Sequence, residues 1–165
     1  MDKQQKITIL ILGAVLLIAL TVLFSVLFGR EREIVVLDFE EPPFETDAVV
    51  GKPDVDVSLN YREINVNGNF VFSLCCIPIV EDNELVVYFS SSENNEPLLL
   101  IKVYDSKGEE IGKSGMLRAG EYVRSVTLSR IPEDSRVLIK VVSYEPETYY
   151  SRGMASATLE FVKKQ

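Results

Sequence analysis

Residues 7–28 are 22 consecutive positions without a charge, and no other feature constrains this chain as much. Leu, Ile, Val, Ala and Phe fill nearly all of them. The exceptions, Thr8, Gly13, Thr21 and Ser25, are small or weakly polar residues that membrane helices accept. At about 1.5 Å rise per residue the run makes a helix of roughly 33 Å, enough to cross the hydrocarbon core of a bilayer. A cleaved signal peptide fits less well. Its apolar region is shorter, and a small-residue cleavage pattern should follow. Here Leu27-Phe28-Gly29-Arg30-Glu31-Arg32 follows, with no lipobox-like cysteine. A buried core helix of a soluble protein would show a polar face, and this run has none. The expectation is one retained transmembrane signal anchor at 7–28 in contact with the lipid bilayer.

The flanking charges are nearly balanced. Lys3, Lys6 and the amino terminus precede the span, and Arg30 and Arg32 follow it. The acidic stretch beyond (Asp38, Glu40, Glu41, Glu45, Asp47) and the short tail before the span favour a cytoplasmic N-terminus. The C-terminal domain then lies outside, on a single-pass cell-membrane protein.

Composition narrows the work that domain can do. Residues 33–165 carry 23 acidic and 13 basic side chains, a net of −10. Nucleic acid demands a basic footprint, so it is excluded as a partner, and an anionic lipid surface is disfavoured. The chain has no histidine and no tryptophan. Ser-His-Asp and Cys-His catalysis therefore drop out, together with the commonest transition-metal ligand and any Trp-centred sugar platform. The only cysteines, Cys75 and Cys76, are adjacent in an apolar run. Neighbours on a strand point to opposite faces, so one thiol belongs in the core and one near the surface. An ectodomain without a disulfide framework or an N-x-S/T sequon suits a bacterial surface better than an animal one.

Residues 29–52 read as an acidic juxtamembrane stalk, extended by Pro42-Pro43, in which 34–37 could add a short strand. A strand is expected to begin within 54–59, where Val55, Val57 and Leu59 alternate with polar residues. Asn67-Gly68 marks a turn. Strand after strand follows: 70–80, with Pro78 marking an edge or bulge, then 84–90, 98–104, 110–113, 122–129, 136–144 and 154–162. The inner faces are expected to carry Leu85, Val87 and Phe89, then Leu99, Ile101 and Val103, then Val126 and Leu128, then Val137, Ile139 and Val141, and last Ala157, Leu159 and Phe161. Turn signals at 81–83, 105–109, 118–121 and 131–134 separate these strands. About seven strands at this spacing, without a sustained 3.6-residue period, predict an all-β sandwich of the immunoglobulin or fibronectin III kind over 53–165. The Cys…Trp…Cys signature is missing. A small barrel is the alternative.

Ser114-Gly115-Met116-Leu117-Arg118-Ala119-Gly120, followed by a strand ending Leu128-Ser129-Arg130, resembles a set of small, largely uncharacterised Gram-positive bacterial proteins. Those carry an N-terminal membrane helix and a C-terminal Ig-like β-sandwich. The likeness runs from about residue 86 to 162, and it implies a fold and a setting rather than a ligand. Ile131-Pro132-Glu133-Asp134 departs from the Gly-containing turn frequent in that family.

Candidate chemistry is sparse. Ser114 beside Lys113 is the nearest approach to a Ser-Lys dyad, but adjacent strand residues face apart. The acidic turns at 81–84 and at Asp105, Glu109 and Glu110 are the candidate Ca²⁺ ligands, yet no paired loop motif supplies the six to eight oxygens needed. No cofactor or metal site is expected, and no enzymatic activity. A possible binding surface is formed by Tyr144, Tyr149 and Tyr150, which flank an acidic loop, and by Glu93, Asn94 and Asn95 in the polar 91–96 loop. The function expected is a membrane-tethered adhesion or interaction module with a protein or cell-envelope partner. The alternative is a non-catalytic subunit of a secretion, conjugation or envelope-assembly complex. The span has one glycine and no G-x-x-x-G pattern, which favours a plain tether over helix packing.

Deleting residues 7–28 tests the anchor. The full chain should remain in the membrane pellet after alkaline carbonate washing and the deletion should be released. Release of the full chain by carbonate alone would contradict the span.

Overall fold

Alternation in the sequence places apolar side chains in two facing rows, and the backbone closes them on each other. The structure is a computed structural model that describes Asp2, Gln4, Gln5, Leu12, Gly13, Leu16, Leu17, Leu20 and residues 41–164. The chain divides into two units, Met1–Phe39 and Glu40–Gln165. In the first, all the described residues except Asp2 have helical backbone, and the described leucines, Leu12, Leu16, Leu17 and Leu20, are exposed. The rest of the 7–28 span and the possible strand at 34–37 lie outside the described residues. Among the described residues no helix is long and apolar enough to cross a membrane.

The second unit is all-β. Its strands are β1 (Val49–Val50), β2 (Tyr61–Val66), β3 (Phe70–Cys75), β4 (Ile79–Glu81), β5 (Glu84–Ser91), β6 (Leu98–Tyr104), β7 (Glu110–Lys113), β8 (Glu121–Thr127), β9 (Arg136–Tyr144), β10 (Ser151–Glu160) and β11 (Val162–Lys163). One sheet has the order β1-β8-β5-β3-β2, with β4 and β11 added beside β5; the other is β10-β9-β6-β7. Every pairing is antiparallel except β11 on β4. Leu85, Val87 and Phe89 of β5 and Leu99, Ile101 and Val103 of β6 are fully buried in one cluster with Val126, Val137, Ile139 and Val141. Two sheets thus share one core in a sandwich-like arrangement, not a barrel, and the inner rows are those the alternation assigns.

The turns follow from residue chemistry. Asp82 and Asn83 both adopt positive φ between β4 and β5, the conformation of a two-residue hairpin whose twist suits the strands. Asn67 (φ 48°) and Gly68 (φ 74°) also adopt positive φ, in the three-residue turn 67–69 between β2 and β3. In the β6–β7 hairpin the Asp105 carboxylate accepts from the backbone N–H groups of Lys107 and Glu109, both at 2.9 Å.

Three segments differ from the sequence expectation. Residues 54–59 do not start a strand: Asp56 caps a 3-10 turn at Val57–Leu59 by accepting from Ser58 N, and Val57 is 94% exposed. The first strand of that region is β2, six residues that the alternation did not reveal. The expected strand at 70–80 is two strands. Cys76 and Ile77 leave the ladder to donate to the carbonyls of Asn60 and Leu59, and the chain returns beside β5 as β4. The stalk boundary also moves. Residues 29–40 lie outside the described residues, but 43–50 run along the domain. Glu45 N donates to Met116 O, Met116 N donates to Pro43 O, and Val49 and Val50 pair with Tyr122 and Glu121. Gly115 permits this approach, because a Cβ there would collide with the Glu45 backbone N and Cα.

The two thiols separate as expected, Cys75 buried and Cys76 at an intermediate position, both free. Desolvation, with a smaller push from Cys76, raises the Cys75 thiol to about 12. Cys75→Ser should cost about 1–3 kcal/mol in urea denaturation, because it buries a hydroxyl among apolar atoms. Cys76→Ser should stay within about 0.5 kcal/mol. Equal costs would contradict the placement.

Candidate functional site

The motif residues at 114–130 are framework. Ser114 is buried; its Oγ donates to Gly115 O at 2.7 Å and accepts from Ile101 N at 3.1 Å. Leu117 is fully buried, and Gly120 turns the chain at φ 74°. Leu128 N donates to Asn83 O and Ser129 N to Ile111 O, which ties the chain just after β8 to the β4–β5 turn and to β7. The Arg130 guanidinium closes on the Asp105 carboxylate at 2.6 Å and on Glu109. Ser114 therefore has no base: its hydroxyl is committed to the backbone, and Lys113 beside it is exposed.

The six residues singled out in the sequence reach one end of the sandwich but play different parts. Leu98, the first residue of β6, pairs with Tyr144, the last of β9, so the 92–97 and 145–150 loops are neighbours. Arg152 bridges them, with Glu96 at 3.5 Å and Glu145 at 3.3 Å. Tyr144 and Tyr149 are half-buried against Leu98, Leu100 and Met116, on the side of β6 away from the core. Their rings cover apolar surface. Tyr150 is 69% exposed. Asn95 is a clamp: its amide donates to Val71 O and Ser91 Oγ, and its Oδ1 accepts from Val71 N at 2.8 Å. That leaves Glu93 and Asn94 exposed.

Glu93 and Asn94 form one wall of a groove of about 470 Å³ on the outer face of the larger sheet. Its floor is a register row in which Glu63 of β2 faces Ser73 of β3, and Ser73 faces Ser90 of β5. Two small serines between larger neighbours leave the hollow. Tyr61 OH and Ser90 Oγ share a hydrogen bond of 2.6 Å at its side. Gly51, Lys52 and Pro53 make the opposite wall. Gly51 N donates to Gly120 O, and Gly120 N to Ser91 O, so both walls hang on the same glycine turn. The groove presents hydroxyls, one amide, two carboxylates and one ammonium. That set orients a polar ligand through hydrogen bonds and offers no reactive centre.

The groove's floor was not among the residues picked from sequence. Ser73 and Ser90 break apolar alternation, which marks them as outward-facing, but only the strand register sets them side by side.

The acidic turns considered for calcium are spent on basic and hydroxyl partners. Glu81 pairs with Lys164, Glu84 accepts from Thr127, and Glu110 pairs with Lys102. Among the described residues no group of three or more Asp, Glu or Cys side chains is placed to hold a metal ion. Comparison of the chain with protein-family models, with curated proteins and with solved structures gives no match.

Arg130, together with the Glu109 and Lys107 amides, holds the Asp105 carboxyl below its ordinary value of 3.8. A depressed carboxyl stabilises the fold above its unfolded pKa, and that stability is lost as pH falls through the folded one. Asp105→Asn should therefore lower the melting temperature at pH 6. The gap to the wild type should shrink as pH is taken below the ordinary carboxylate range. A gap constant from pH 6 to pH 2 would contradict the ion-paired turn.

Proposed function

We propose that this protein is a non-catalytic binding module, tethered by residues 7–28 with its β-domain outside the cell, and that the groove between 51–53 and 92–94 receives a polar protein or cell-envelope partner. The groove carries the reading. It is a concave surface that the fold builds from two loops and a row of hydroxyls, and apart from Gly120 its lining residues lie outside the framework motif. The 22-residue uncharged run supports the tether, and the likeness of 114–130 to Gram-positive membrane-anchored proteins supports an envelope setting. The absence of histidine and the commitment of Ser114 and Cys75 to the core support a role without turnover.

The strand order supports an immunoglobulin or fibronectin III type of sandwich. The path β8-β5-β3 faces β10-β9-β6-β7, and the chain crosses between sheets after β5, β7, β8 and β10.

Two measurements test the proposal. Protease added to intact cells should degrade the domain; protection until lysis would reverse the topology. In pull-downs from detergent-solubilised envelopes, Ser73→Tyr should fill the groove and lose the retained partner, whereas Thr127→Tyr at the other end of the sheet should keep it. Equal retention by both variants would remove the groove from the reading.

A further inference from the structure

The other surface without a structural duty is the outer edge of β10. β10 is the last strand of the four-stranded sheet and pairs with β9 alone. An open edge presents unpaired backbone groups, and sheet proteins protect such edges with short length, charge, proline or a covering segment. The other edges here are protected. β2 has exposed Arg62 and Glu63 in mid-strand, β1 and β11 are two residues long each, β11 ending in Lys163 with Lys164 next, and residues 43–45 cover the chain beyond β7. β10 is ten residues long, without proline, and between Arg152 and Glu160 it has no charge. A bulge between Ser151 and Gly153 makes Arg152 the extra residue at the start of the strand, and regular pairing with β9 runs from Gly153 to Glu160.

Its side chains are self-complementary. Gly153, Ala155, Ala157 and Leu159 lie on the covered face, while Met154, Ser156, Thr158 and Glu160 are exposed. Antiparallel pairing of two such strands keeps each face together only if paired residue numbers share parity. Among these registers, the one centred on Ser156 sets Arg152 opposite Glu160 at both ends. It also sets Gly153 opposite Leu159, Ala155 opposite Ala157, and Met154 opposite Thr158. Small meets large on the inner face, and opposite charges meet at the rim.

We infer that β10 is a homodimerisation edge: two copies of this chain pair β10 to β10 about a two-fold axis at Ser156, joining their four-stranded sheets into one. The contact is isologous and closes at two copies, so it does not propagate.

Site-specific cross-linking of the full chain in detergent tests this. Ser156→Cys places two thiols directly opposite across the axis, at about 4.5–5.5 Å between Cβ atoms. It should give a disulfide-linked dimer on mild oxidation, whereas the wild type and Thr127→Cys should not. Arg152→Glu in the Ser156→Cys background sets like charges opposite each other and should weaken dimerisation by about fivefold or more. Adding Glu160→Arg should restore it, although the double variant still lacks the Arg152 contacts to Glu96 and Glu145 and also loses the Glu160 contact to Arg136. Cross-linking at Ser156→Cys no greater than at Thr127→Cys overturns the inference. So does a charge reversal that the second reversal fails to rescue. Capture of a free peptide spanning 151–160 without self-cross-linking would assign the edge to a foreign strand and would also overturn it.

Discussion

Burial of β6 on both faces is the constraint on which the rest of the domain depends. Leu99, Ile101 and Val103 fill the core against β5, and Leu98 and Leu100 are buried on the opposite side. A strand in a two-sheet fold normally gives one face to water. Here the second face needs a cover, and three separate segments supply it: Phe44 from before β1, Met116 from after β7, and Tyr144 at the end of β9 with Tyr149 from the connection that follows. Covering apolar area of this kind contributes on the order of 25 cal/mol per Å². The cover also explains details that would otherwise look unrelated. Gly115 must lack a side chain so that Glu45 can approach, and the Arg118 guanidinium stacks over the Phe44 ring at 3.9 Å. The residues just before β1 are thereby part of the domain and not a solvated stalk.

That same constraint separates what the sequence can tell from what it cannot. Period-two alternation is a local property, so the inner rows of β5, β6, β8 and β9 could be assigned residue by residue. Turn chemistry is local too, and Asp82-Asn83, Asn67-Gly68 and the Asp105 hairpin form where their residues require. Alternation failed at 54–59, where an aspartate side chain competes for the backbone and wins over three spaced apolar residues. It failed at 70–80 because Pro78 cannot donate to a ladder and the chain detours around it. The second cover was visible only indirectly, in the unbroken run Leu98-Leu99-Leu100-Ile101, which is too apolar for a strand with one wet face. The groove was not visible at all, because it depends on Ser73 and Ser90 meeting across a register that pairs distant segments.

The division of labour bears on function. Residues 114–130 hold turns and strands together, so their pattern carries fold and not ligand. Asn95, Tyr144 and Tyr149 are likewise engaged in clamps and cover. The surfaces left over, the hydroxyl-lined groove and the open edge of β10, lie on different sheets, so a partner in one does not exclude a copy at the other. The domain's acidic exterior resists unspecific association, and that resistance is relaxed at these two places.

The packed domain begins at residue 43, drawn in by the second face of β6. Native-state hydrogen exchange of the full chain in detergent measures this amide by amide. The account expects the Glu45, Gly51 and Met116 amides, each donating to a backbone carbonyl of the domain, to exchange far more slowly than an unstructured chain, together with or just ahead of those of β6. Exchange of Glu45 and Met116 at the unprotected rate, while β5 and β6 stay protected, would show that the cover is not in place and would contradict it.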